Sequence, residues 1–163
     1  MIGYVCKYTP VEVFEAMGVE IRRIQPEVTN FNQADTLMHP NICSFTKSVL
    51  AGDYEGVVLT TCCDSIRRLY DVLKQQCPDK FLYLLDVPRK VNDFSTDMYR
   101  KNILDMVPAY EAFSGKTFDE IVLKQNVDQF VTESGNEQST TVGGTNYAYN
   151  KALTISKQEF DKI

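Results

Sequence analysis

Five cysteines, Cys6, Cys43, Cys62, Cys63 and Cys77, are the residues of this sequence with most chemistry to offer. A cysteine thiolate is both a nucleophile and a soft metal ligand. The N-terminus, MIGYVCKYTP, lacks a basic stretch followed by a long apolar one, so no secretory signal is expected. An odd number of cysteines in such a chain predicts free thiols in a reducing cytoplasm rather than a disulfide framework. Cys62 and Cys63 are poorly suited to bridging each other, because adjacent residues do not easily reach the torsion a disulfide requires. The signatures of other chemistries are missing. There is no Gly-x-Gly-x-x-Gly after the first strand, no Gly-Lys-Ser/Thr phosphate loop, no Gly-x-Ser-x-Gly elbow and no Cys-x-x-Cys. A single histidine, His39, excludes a multi-histidine metal site within one chain.

What singles out these thiols is where they fall. Cys43 lies in the first turn of a helix expected after Pro40, and Cys63 immediately precedes one beginning at Asp64. The positive end of a helix dipole stabilises a thiolate and lowers its pKa. Two thiolates offered from separate loops at one sheet edge suit an iron–sulfur cluster, which thiolates hold preferentially. The ordinary alternative, for any one of the five, is a small buried hydrophobe. Spacing alone does not decide between them.

The elements that must position the thiols alternate strand and helix. Ile2–Val5 reads as a first strand. Thr9-Pro10-Val11-Glu12 opens a helix, with Thr9 as N-cap, Pro10 in the first turn and Glu12 as capping-box partner. Gly18 stops it, and Glu20–Ile24 reads as a second strand. Gln25–Leu37 reads as a loop, and a helix follows from about Asn41 to Leu50. The continuous apolar run Gly56–Thr60 marks a strand buried on both faces. From Asp64 a helix carries Ile66, Leu69, Tyr70 and Leu73 on one stripe, with Asp64–Arg68 and Arg67–Asp71 as i,i+4 pairs, and stops at Cys77-Pro78.

Phe81–Leu85 is a further strand. Asp97–Phe113 has a helical stripe at Tyr99, Ile103, Met106, Val107 and Tyr110, with Pro108 expected to kink or shorten it. Ser114-Gly115 is its stop. Thr117–Glu120 reads as a second capping box, opening a helix that carries Ile121, Val122 and Phe130. Thr132–Asn150 turns to Ser, Thr, Gly and Asn and reads as a loop or tether. The alternation predicts a doubly wound α/β domain, Rossmann-like and three-layered, with a mostly parallel sheet. Domain boundaries are expected at 1–125 and 126–163. In such folds ligands sit beyond the carboxyl ends of the strands, which is where Cys6, Cys62 and Cys63 fall.

Composition narrows the partners. The 163 residues are 44% hydrophobic and 24% charged, enough to build a folded core. Seventeen Lys and Arg against 22 Asp and Glu give a net charge of −5, the wrong sign for a sequence-independent grip on nucleic acid. No apolar run reaches the roughly 18 residues of a membrane span.

Four stretches then occur in order: GYVCKYTPVEVFEAMG, HPNICSFTKSVLAGDYEGVVLTTCCDSIRRLYDVLKQ, FLYLLDVPRK and FSGKTFDE. Together, over residues 1–125, they resemble the D-component group of the 2-hydroxyacyl-CoA dehydratase family. That group includes 2-hydroxyglutaryl-CoA dehydratase, benzoyl-CoA reductase subunits and double-cubane cluster proteins. The resemblance implies Rossmann-like domains with a [4Fe–4S] cluster, single or in double-cubane form, held between them by cysteines. Cys43 in NICSF matches the first cluster cysteine. Cys63, followed by Asp64 and then Arg67-Arg68, matches the second, and Cys62 is its neighbour. Cys6 matches a position where related members often carry cysteine. Glu12 matches the substrate-facing Pro-x-Glu loop, which implies proton handling or acyl-CoA binding, although its place in a capping box is enough to explain it. Relatives continue into a second α/β domain that usually brings a third cysteine; nothing here matches it, and Cys77 is a poor substitute.

The activity implied is reductive removal of water from an (R)-2-hydroxyacyl-CoA to give the enoyl-CoA. The electron would come from a separate ATP-dependent iron–sulfur activator, and the chain would need a second α/β domain or paralogous subunit. A low-potential double-cubane-type reductase, and a non-catalytic α/β interaction module that has lost its cluster, are the alternatives.

Overall fold

A computed structural model of the chain describes residues 1–25, 30–90 and 92–126. The Ser/Thr/Gly/Asn-rich segment, Phe130 and all but the first residue of the expected C-terminal extension lie outside the described residues. Two compact units are present, and the chain passes between them more than once. The first comprises Met1–Thr9 and Glu20–Asp86; the second takes Pro10–Val19 and the chain from Val87 onward.

The first unit holds four strands: β1 (Ile2–Tyr4), β2 (Ile21–Arg23), β3 (Gly56–Thr60) and β4 (Phe81–Leu85). They pair in the order β2-β1-β3-β4, and every pairing is parallel. Ile2 stands opposite both Ile21 and Gly56, while Thr60 stands opposite Leu85. Parallel strands need crossovers, and these are largely helical. α2 (Asn32–Leu37) and α3 (Ser44–Leu50) lead to β3, and α4 (Asp64–Gln76) joins β3 to β4. All five residues of β3 are buried, as its unbroken apolar run requires. Val57 and Leu59 form a core with Val5, Ile24, Met38 and Val49, and with the Ile66, Leu69 and Leu73 stripe of α4. Gly56 is needed at the start of β3, because a Cβ there would lie 2.6 Å from both the Phe81 Cβ and its carbonyl oxygen. The fold is of the three-layer α/β, Rossmann-like class.

Two expectations change in this unit. Residues 32–37 are helical where a loop was expected, and Ala34 is the one buried residue of that helix. On α4 the ion pair formed is Arg68–Asp71, at i,i+3, in place of the two expected i,i+4 pairs, Asp64–Arg68 and Arg67–Asp71.

The second unit holds α1 (Val11–Glu15), α5 (Asp93–Ser114) and helical turns over 120–126. α5 buries Thr96, Tyr99, Ile103, Met106 and Tyr110, the three-and-four spacing of a single stripe. The Phe14 and Tyr110 rings meet edge to face at 5.2 Å. Asn92 caps α5 by accepting from the Ser95 N–H at 2.8 Å, and Gly115 closes it in the left-handed region at φ 69°. The helix is not shortened at Pro108. Its 22 residues continue to Ser114.

Neither expected capping box forms. The N-cap of α1 is Pro10, which has no side-chain acceptor, and the buried Thr9 hydroxyl has no hydrogen-bond partner among the described residues. At the later helix the cap is Asp119, not Thr117. Asp119 Oδ1 accepts from the Ile121 and Val122 N–H groups at 2.9 and 3.3 Å.

No helix among the described residues is long and apolar enough to cross a membrane.

Candidate thiol site at the sheet edge

The strand order of the first unit reverses between β1 and β3, a topological switch point where α/β sheets open a crevice beyond their strand ends. Cys6 follows β1 and Cys62-Cys63 follows β3, so both cysteine-bearing turns leave the sheet at that point. Cys6 is half-buried and packs against the core of the unit. Cys62 and Cys63 are exposed thiols, as is Cys43.

Cys43 and Cys63 each occupy the N-cap of a helix, in extended backbone, with no side-chain hydrogen bond closing the cap. Their carbonyls accept the first helical bonds, from the Lys47 and Arg67 N–H groups. Both sulfurs therefore stand at helix N-termini, and the 13-residue α4 directs its positive end toward Cys63.

The structure joins these two helix starts through hydroxyls that the sequence did not single out. Cys43 Sγ shares a 3.1 Å hydrogen bond with Thr46 Oγ1 in the first turn of α3. The side chain of Ser65, in the first turn of α4 and two residues after Cys63, approaches the same sulfur and favours its thiolate. Burial pushes the Cys43 thiol up. The Thr46 hydroxyl first, then the dipoles of the Thr46 N–H, the Ser65 side chain and the Phe45 N–H, which favour the thiolate without closing a cap bond, together outweigh it, and the pKa lies below the ordinary thiol value. Thr46, three residues after Cys43, was legible as a helical neighbour. Ser65 was not, since its approach depends on α3 packing beside α4.

The remaining candidates are placed differently. Cys77 is the C-cap of α4, at its far end, about 20 Å from Cys63 along a 13-residue helix. Glu12 sits on α1 in the second unit with its side chain buried.

A cluster is the group to test against this donor set. Cys43 and Cys63 suit it in kind and in setting, being exposed sulfurs at helix N-termini, one of them poised toward thiolate. They amount to a partial ligand set. Among the described residues no group of three or more His, Cys, Asp or Glu side chains is gathered for a metal ion.

The family model described as 2-hydroxyglutaryl-CoA dehydratase, D-component, matches residues 6–135. The match takes in both thiol turns and ends ten residues beyond the stretch over which the sequence motifs were traced. No curated protein matches the chain.

Proposed function

This chain belongs to the 2-hydroxyglutaryl-CoA dehydratase D-component family, and from that membership we propose that it is the cluster-binding part of a 2-hydroxyacyl-CoA dehydratase-like enzyme. The observation that carries the reading is that Cys43 and Cys63 are exposed thiols at the N-caps of α3 and α4, two helices that pack against each other. Cys43 and Cys63 would each hold an iron of a [4Fe–4S] cluster, and a second α/β domain or paralogous subunit would complete the ligand set. When bound, such a cluster supplies a low-potential electron and an open iron able to polarise a carbonyl oxygen. The chain's own part is to offer two deprotonated sulfurs, to hold them on two packed helices and to offset their charge with the N-terminus of α4. Glu12 is the carboxyl that matches the family's substrate-facing loop, and its part would be a proton transfer to or from an acyl-CoA substrate. The electron would reach the site from an ATP-dependent iron–sulfur activator.

Anaerobic reconstitution with iron and sulfide tests this. The parent chain is expected to take up both, while Cys43→Ser and Cys63→Ser each lose most of the iron and Cys77→Ser keeps it. Full iron in both ligand variants would sink the assignment. A parent that takes up none, alone or with its partner, would leave the non-catalytic interaction module. With iron in place, turnover of 2-hydroxyacyl-CoA thioesters with activator, against reduction of small molecules without them, separates the dehydratase from the double-cubane-type reductase.

A further inference from the structure

One charged side chain in the first unit is buried without lying at the thiol site itself. Lys47, on α3, is 7% exposed, and its ammonium group makes two contacts. It donates to the Pro40 carbonyl at 2.8 Å and pairs with Asp35 Oδ1 at 2.5 Å. A buried ammonium is costly unless paired and hydrogen-bonded, so the position is held by these contacts. They span a specific stretch of chain. Asp35 belongs to α2, Pro40 to the turn after it, and Lys47 to the helix whose N-cap is Cys43. The Lys47 N–H itself closes the first helical bond on the Cys43 carbonyl at 3.2 Å. Lys47 thus holds both sides of the short segment 40–43 that delivers the thiol. The same α3 turn carries Thr46, the hydroxyl bonded to the sulfur.

We infer that Lys47 is a positioning residue for the Cys43 thiol, clamping the 35–43 segment so that the sulfur meets Ser65 at the start of α4. Its interest for catalysis rests on the cluster reading above, but the clamp itself does not. α2 itself buries only Ala34, and Met38 just after it is the one core residue of the clamped segment, so the ion pair is a large share of what holds that segment in place.

The test reads position directly. In the full chain, Cys6, Cys62, Cys63 and Cys77 are replaced by serine and Ser65→Cys is introduced, leaving two thiols whose separation reports the clamp. Oxidised glutathione converts the pair to a disulfide: both thiols lose a proton and an electron, and glutathione is released as its thiol. Bridge formation is expected to be rapid with Lys47 present and to slow about tenfold in Lys47→Met, as loss of orientation lowers effective concentration. Lys47→Arg, which can reach the same two oxygens, should restore it. If Lys47→Met does not fold by circular dichroism, Asp35→Asn cuts the pair at its exposed partner and is expected to slow the bridge likewise. Parent-like bridging in Lys47→Met, or in Asp35→Asn where it replaces Lys47→Met, would overturn the inference. Slowed bridging in a chain whose wild-type form takes up no iron would keep the clamp and discard the cluster.

Discussion

Thr61 Oγ1 donates to Asp86 Oδ1 at 2.5 Å, and the Thr61 N–H donates to the Leu85 carbonyl at 3.0 Å. These two bonds tie the residue just after β3 to the end of β4. Cys62 and Cys63 come directly next, so the second thiol turn departs from a fixed point on the sheet edge, much as the first departs from the Lys47 clamp.

Thr61→Val keeps the shape of the side chain and removes the donor. Asp86 is exposed and water can replace its lost partner, so the expected cost is about 1 kcal/mol, read as a lower urea midpoint with unchanged slope. An unchanged midpoint would mean that the Leu85 backbone bond alone fixes the turn.

The thiol at 43 should show its setting in a pH profile. Its folded pKa lies below the unfolded value, so the stabilising thiolate contribution is fully present above the unfolded pKa and is lost as pH falls through the folded one. In a chain retaining only Cys43, the iodoacetamide rate is expected to reach its half-maximum at lower pH than in the same chain unfolded in urea. Thr46→Val and Ser65→Ala should each move that midpoint up. A folded chain with the unfolded midpoint would show that the hydroxyls do not act on the sulfur.

The two readings of the helix over 120–126 differ by residue. Asp119→Ala is expected to cost about 1 kcal/mol, because Asp119 Oδ1 accepts from two first-turn N–H groups. Thr117→Ala should stay within about 0.5 kcal/mol, as expected for a residue that makes no cap. Equal losses in urea denaturation would restore Thr117 to the cap.

What could be read without coordinates was whatever local pattern decides. β3 was legible because the run Gly-Val-Val-Leu, closed by the β-branched Thr60, leaves no charged face, and the close of α5 because Gly115 supplies the left-handed turn. α2 was not legible: NQADTL has no apolar stripe, and its Asp35 is paired with Lys47 from the next helix. The capping boxes misled for a related reason. Thr-x-x-Glu marks where a cap can form, but at α1 the helix starts beyond Thr9, at Pro10, and at the later helix Asp119 reaches the free N–H groups first. For the thiols, sequence reached the helix junctions of Cys43 and Cys63 but not Ser65, whose contact exists only once α3 and α4 pack.

The bare cap at Cys63 has an evolutionary consequence. At the start of a 13-residue helix, Ser, Thr, Asp and Asn close a hydrogen bond that the cysteine sulfur leaves open here. Replacing that sulfur with a hydroxyl would therefore gain stability, on the order of 1 kcal/mol. Mutational drift judged on folding alone would erode the thiol within a lineage. A chain of this kind that retains cysteine at 63 does so against its own thermodynamic interest, and copies with no use for that thiol should be recognised by serine or aspartate appearing first at that residue.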